Sequence, residues 1–321
     1  MRLANTTIKK LIKGALVFET KKGYLSFFKY GKDQLEFFDR PDYDWGWRMW
    51  AHFSGGIRME MMSDCTEISF DYKSSCQHER SNTIDLYIND VLSFSYHIGN
   101  ILKGTVTFSG MKQEIKKVTI YFPCESRLDI KNFNIDGAYR QIKDKGEKVL
   151  FIGDSITQGA GPDISSVSYF NTVVREMGYN ALCQGVGGYR YEPRDLMKIE
   201  EFDPDKIIIF LGTNYYEARD DYDYKKAVYD FYEKIEKIYP DKPKICITPT
   251  WRNNDVDWDR FSWCINTIKE ACQKYYDVTV IDGFGLMPNV DDCLADGIHP
   301  NTFGSCMIAF NLIKILKDLN F

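Results

Sequence analysis

The stretch Lys148-Val149-Leu150-Phe151-Ile152-Gly153-Asp154-Ser155-Ile156-Thr157 decides how the chain is read. A solid apolar run, as opposed to an alternating one, marks a strand buried on both faces, as in a parallel sheet covered by helices. Gly153-Asp154 then turns the chain, and Ser155 opens the next element. This puts a hydroxyl at a strand-to-helix junction, where the N–H groups of a helix start face developing negative charge. Far downstream stands Asp296-Gly297-Ile298-His299, a carboxylate and an imidazole three positions apart. A serine hydroxyl becomes a nucleophile only when a base takes its proton, and an imidazole base works best when a carboxylate fixes its tautomer. Ser, Asp and His in this order point to hydrolysis through a serine.

Beyond residue 147 the same rhythm continues. Apolar runs predict strands at 148–152, 180–186, 206–211, 244–248 and 278–281, and helical patterns predict helices near 167–176, 193–201, 224–238 and 258–274. Strand and helix in alternation imply a parallel sheet with helices on both sides. Ligands of such sheets bind beyond the carboxyl ends of the strands. Ser155, after the first strand, and Asn214, after the third, fall on that rim.

Upstream the period changes to two. Short alternating segments at 56–62, 66–72, 83–88, 92–97, 105–108, 118–122 and 128–133 are separated by turn residues such as Asn89-Asp90 and Ser109-Gly110. This is the pattern of a β-sandwich or jelly roll of roughly 110 residues. The polar stretch 136–146, with Gly137 and Gly146, separates the two patterns. The expected division is a sandwich domain over 1–143 and an α/β domain over 144–321.

Composition narrows the function. At 321 residues, with 44% hydrophobic and 27% charged residues, the chain suits two globular domains that need no disulfide staples. A net charge of −5 argues against nucleic-acid binding, which requires a clustered cationic excess. The basic N-terminal run of Lys9-Lys10, Lys13 and Lys21-Lys22 is the exception, and it reads as a solvated face. Nine scattered cysteines, without a CxxC pair or a histidine at metal-ligand spacing beside them, read as buried thiols in a reducing compartment. His52, His78 and His97 lack metal-ligand spacing and read as structural. No signal-peptide pattern and no apolar run of membrane-spanning length is present, so the expectation is a cytoplasmic protein that binds neither membrane nor nucleic acid.

Two more blocks follow strands in the second half: Gly185-Val186-Gly187-Gly188-Tyr189 and Leu211-Gly212-Thr213-Asn214. Glycine lets a backbone N–H approach a substrate oxygen, and an asparagine amide can donate to an oxyanion. With these blocks in place, the chain from 148 onward resembles the SGNH subgroup of the GDSL esterase and lipase superfamily. The resemblance implies a flavodoxin-like α/β/α domain. It also implies Ser155 as nucleophile, Asp296 and His299 as its charge-relay partners, and Ser155, Gly188 and Asn214 as oxyanion donors. Cys183-Gln184 stands where the family commonly has asparagine, and Tyr215 where many members have aspartate. The upstream half is similar to the sandwich that precedes this domain in some bacterial carbohydrate esterases. The segment Thr248-Pro249-Thr250-Trp251-Arg252 resembles a rim loop of the same group, which implies that Trp251 and Arg252 lie near substrate.

The expected activity is hydrolysis of a short acyl ester, acetyl first, on an oxygen of a saccharide or related metabolite, without cofactor or metal. Tyr189 and Tyr215 join Trp251 and Arg252 as expected substrate contacts, because aromatic and polar groups crowd the rim. A lipase or thioesterase for longer chains, and a catalytically idle carbohydrate-binding protein, are the alternatives. The sequence leaves homo-oligomerisation open.

Overall fold

In the first half of the chain two antiparallel sheets face each other. The computed structural model describes residues 1–42, 45–77, 80–216 and 223–321, without the side chains of Trp45, Cys76 and Gln77. Helix α1 (Asn5–Leu11) leads into β1 (Ile12–Lys13), β2 (Val17–Lys21) and β3 (Tyr24–Phe28). Helices α2 (Lys32–Phe38) and α3 (Trp45–Trp50) precede β4 (Arg58–Ser63), β5 (Ile68–Gln77) and β6 (Thr83–Ile88). Strands β7 (Val91–His97), β8 (Lys103–Phe108), β9 (Lys116–Tyr121), β10 (Ser126–Ile135) and β11 (Tyr139–Gln141) complete the sandwich.

One sheet runs β1-β4-β9-β6-β7, with β11 also on β4, and the other runs β2-β3-β10-β5-β8. Alternation in the strands sends every second row inward. Leu25, Ile130 and Tyr72 of one sheet meet Met59, Ile120 and Leu86 of the other in a common core. Two hairpins close on two-residue turns, Lys22-Gly23 and Asn89-Asp90, in which both residues have positive φ. That geometry matches the twist of the paired strands. The sandwich therefore starts before residue 23, and its three short helices are additions that an alternating pattern does not foretell.

The second half holds β12 (Lys148–Gly153), α4 (Ser155–Gln158), α5 (Tyr169–Met177), β13 (Asn180–Gly185) and β14 (Lys206–Phe210). It continues with α6 (Tyr224–Ile238), β15 (Lys244–Ile247), α7 (Trp258–Cys272), β16 (Val278–Ile281) and α8 (Thr302–Asp318). The parallel sheet has the order β13-β12-β14-β15-β16, the flavodoxin-like arrangement. Leu150, Ile207 and Ile209 face α6 and α7 in one core, while Val149, Phe151, Ile208 and Ile245 face α5 and α8 in another. This two-sided burial is the reason the strands read as unbroken apolar runs.

The helix expected at 193–201 is absent; the segment is built of turns. Leu196, Ile199 and Phe202 are buried as an amphipathic helix would bury them, but side chains take over the backbone donors. Arg194 N–H donates to Glu192 Oε1 at 3.1 Å, and Ile199 N–H donates to the Tyr239 hydroxyl at 3.2 Å. Local side-chain acceptors compete with a helix in this way.

Buried hydrogen bonds join the two halves. Ser81 Oγ donates to Pro162 O at 2.6 Å, Ser165 Oγ donates to Ser81 O at 2.6 Å, Ser165 N donates to Thr83 Oγ1 at 2.8 Å, and Ser166 N donates to Asp85 Oδ2 at 2.8 Å. No helix is long and apolar enough to cross a membrane among the described residues. The described cysteine side chains are all unbridged, and all but Cys306 are buried.

Candidate active site

Strand β12 ends at Gly153, and α4 starts at Ser155 with Asp154 as its N-cap, accepting from Ile156 N–H at 3.0 Å. The cap fixes where Ser155 stands, with 7% of its surface exposed. Burial pushes the Asp154 carboxyl up to about 7, against the opposing hydrogen bond from Ile156 and the charges of His299 and Arg252.

His299 arrives from the far end of the chain. Its Nε2 lies 2.8 Å from Ser155 Oγ, and its Nδ1 lies 2.8 Å from Asp296 Oδ2. Asp296 also accepts from the backbone N–H groups of Ile298 at 3.1 Å and His299 at 2.9 Å, a local turn that sets the carboxylate beside the ring. Burial opposes ionisation of Asp296, but the hydrogen bonds from His299 and Ile298 and the charge of His299 overcome it and hold the carboxyl well below the usual carboxylate range. Burial would lower His299. Its hydrogen bond and charge interaction with Asp296, joined by Glu125 and Asp154, reverse this and raise it above the ordinary imidazole value. Gly161 packs directly against this loop. A Cβ there would lie 2.3 Å from Pro300 O and 3.0 Å from the Cβ of His299, so a larger residue would displace the histidine.

The glycine pair sits beneath an aromatic from the other domain. A Cβ on Gly187 would come within 2.7 Å of the Trp50 ring, and Gly188, at φ +63°, would meet the same ring at 3.1 Å. Gly187 N–H donates to Gln158 Oε1 at 2.9 Å. Of the two adjacent glycines, Gly188 is therefore the one whose N–H lies outside that bond. Asn214 Nδ2 donates to Tyr189 O at 3.0 Å; a primary amide carries two N–H donors, so one more remains for a ligand. Trp47, in the same helix as Trp50, is buried against Tyr189 with ring centroids 5.2 Å apart.

The rim differs from expectation in two places. Tyr189 does not reach solvent: it is 3% exposed, and its hydroxyl donates to the Asp195 carboxylate. It is a wall of the aromatic core, because the chain turns inward after Gly188. Arg252 does line a cleft of ≈ 300 Å³ with Thr213, Asn214, Tyr215, Tyr216, Asn254 and Asp255. Its guanidinium, however, is occupied in pinning: Nη1 donates to Thr213 O at 2.6 Å and Nε to Asn254 Oδ1 at 2.8 Å. Asn253 N–H donates in turn to Gly297 O at 2.9 Å. The segment 252–254 thereby ties the Asn214 loop to the Asp296–His299 loop. Tyr215 sits on the cleft with φ +57°, a left-handed conformation that costs a non-glycine residue energy. Trp251 is half-buried beside this segment and does not line the cleft.

Two contributors carry no motif and escape sequence reasoning. Arg80, in the connection from β5 to β6, places Nη1 3.4 Å from Asp296 Oδ2. Glu125, between β9 and β10, is 7% exposed and faces His299, Arg80 and Asp296. Burial lifts its carboxyl to about 7. The two connections are joined by Cys124 N–H donating to Ser81 O at 3.0 Å. Their only advance signal is position: each stands in a connection that crosses from one sheet of the sandwich to the other. Of the remaining histidines, His52 Nε2 contacts Asp39 Oδ1 at 2.8 Å, His97 is exposed, and His78 lies outside the described residues. No group of three or more His, Cys, Asp or Glu among the described residues is arranged to hold a metal.

Residues 151–305 match the GDSL-like lipase/acylhydrolase family. No curated protein is significantly similar in sequence. Among solved structures, a salicylyl-acyltransferase from a tetracycline biosynthetic pathway superposes with TM-score 0.76 at 15% identity, covering 96% of this chain and 94% of that one. A GDSL-like lipase from Bacteroides ovatus gives 0.73 at 18% identity over 96% and 95%. A family two carbohydrate esterase from Clostridium thermocellum, in complex with cellohexaose, gives 0.67 at 17% identity over 83% and 93%. At these identities the likeness speaks to the fold, a sandwich followed by a parallel-sheet domain.

Proposed function

We propose that this chain, whose residues 151–305 match the GDSL-like lipase/acylhydrolase family, is an ester hydrolase that removes short acyl groups, acetyl foremost, from oxygens of a carbohydrate or related metabolite. The observation that carries the reading is the continuous contact from Asp296 through His299 to Ser155, with 2.8 Å at each link. His299 Nε2 takes the Ser155 proton as Oγ attacks the ester carbonyl, and Asp296 stabilises the imidazolium that forms. Ser155 N–H, Gly188 N–H and the second N–H of Asn214 hold the oxyanion until His299 returns the proton to the leaving alcohol. Water, deprotonated by the same histidine, then releases the acid.

The preference for short acyl groups follows from the cleft beside Asn214. A long chain would cover the Asp255 carboxylate and the Asn254 amide N–H groups that line this cleft without pairing them. Each buried unpaired group costs ~1–3 kcal/mol, enough to offset several added methylenes at ~0.8 kcal/mol each. The test is kcat/KM for p-nitrophenyl esters from two to twelve carbons, read below micelle-forming concentrations, together with acetate release from acetylated oligosaccharides. Acetyl should exceed octanoyl. Rates that climb with chain length would replace this reading with a lipase or thioesterase.

A further inference from the structure

We propose that the outer face of the sheet β2-β3-β10-β5-β8 binds an acidic polysaccharide chain. Because rows alternate, the row next to the buried Leu25, Ile130 and Tyr72 points outward. Glu19 pairs with Ser26, Asp129 with Lys73, and Lys73 with Lys103, so a single outward row crosses the sheet. With Lys21, Lys22, Tyr24 and Arg127 it lines a groove of ≈ 620 Å³.

Five cationic side chains face two carboxylates in a protein whose net charge is −5. One of those carboxylates, Asp129, is already 3.4 Å from Arg127 Nε, and it forms the floor with Ser26 at 6% and 4% exposure. Lys21, Lys22, Lys73 and Lys103 make no ion pair among the described residues, whereas Lys13 of the same basic run is tied to Asp144 at 2.6 Å. Lys73 and Lys103 stand directly opposite each other across β5 and β8. Like charges at that position are destabilising, so the pair weakens the sheet unless an anion lies between them.

The interleaving of Glu19, Asp129, Ser26, Ser75 and Tyr24 with the lysines chooses among polyanions. Duplex DNA presents one charge per ≈ 1.7 Å of axis, and the two carboxylates would repel so dense a rod. A polysaccharide whose acid groups are spaced at least one sugar apart can set anions on the lysines and hydroxyls on the carboxylates and serines. The inference does not depend on the acyl specificity proposed above.

Affinity electrophoresis of the whole protein through gels containing polygalacturonate, neutral xylan or no polymer tests it. Retardation by polygalacturonate alone, weakening as salt rises, is expected. Lys73→Gln with Lys103→Gln, and separately Lys21→Gln with Lys22→Gln, should each weaken retardation by about tenfold in Kd, the equivalent of two exposed charge contacts. Both variants should hydrolyse p-nitrophenyl acetate as the parent does, which shows they are folded. Absence of retardation, equal retardation of parent and variants, or tighter binding to duplex DNA than to polygalacturonate at the same salt would each overturn the proposal.

Discussion

Ser155 and His299 stand on connections of the parallel-sheet half, where strand ends converge on one rim. Arg80 and Glu125 reach the same spot from turns of an antiparallel sandwich. The first pair contains the atoms that react, at 2.8 Å from each other. The second pair alters the charge those atoms experience. The parallel half therefore supplies the chemistry and the antiparallel half supplies its electrostatic setting. Substitutions in the two halves should fail in different ways.

The largest effect belongs to Ser155→Ala, which should cost about 10⁶ in kcat with folding intact, because a triad acts as a unit. Circular dichroism beside ester turnover measures it, and retention of more than a few per cent of activity in pure protein would remove Ser155 from its role. Asn214→Ala should lower kcat by roughly 10²–10³ and leave KM nearly unchanged, as loss of an oxyanion donor does. A change confined to KM would make Asn214 a general substrate contact instead.

The sandwich substitutions should move pH dependence more than rate. Only neutral imidazole accepts the serine proton, and Asp296, Glu125 and Asp154 favour the protonated form of His299. In the parent, kcat/KM should therefore rise with pH along a limb centred above 6.5, the ordinary histidine value. Glu125, lifted by burial to about 7, carries its charge over the upper part of that limb; Glu125→Gln removes that charge, so the limb should move modestly to lower pH. A limb that stays in place, or moves upward, would show that Glu125 does not act on the histidine. The smallest effect is expected of Arg80→Ala. Arg80 and Asp296 are 42% and 39% exposed, and an exposed ion pair contributes about 0.2–1 kcal/mol, a change of roughly fivefold or less in kcat/KM. A loss of a hundredfold would place Arg80 on the substrate.

The same contrast governs what the sequence discloses. β12, β14 and β15 are visible because a strand buried on both faces must be apolar nearly throughout, and α6 is visible because its buried face repeats at helical spacing. Ser155, Asn214, Asp296 and His299 stand in short blocks because one loop sets each geometry. The sequence sets Tyr189 on the rim and the structure buries it, since nothing local tells a tyrosine whether Asp195 will receive its hydroxyl. Arg252 marked the right loop, but its tie to Thr213, 39 positions earlier, exists only in three dimensions. Glu125 illustrates the limit most clearly. Its neighbours Cys124 and Ser126 belong to the sandwich, and its proximity to His299 depends on how two separate folds are set against each other.

The buried serine and threonine bonds between the halves also bear on inheritance. Exchanging either half for that of a distant relative would strand Ser81, Thr83, Ser165 and Asp85 without their partners. Each loss costs about 1–3 kcal/mol, so a few together rival the ~5–15 kcal/mol that keeps a domain folded. Recombination across this seam is penalised unless both of its faces travel together, and changes on one side select for compensating changes on the other. By this cost the two halves behave in recombination as one unit and not as interchangeable modules.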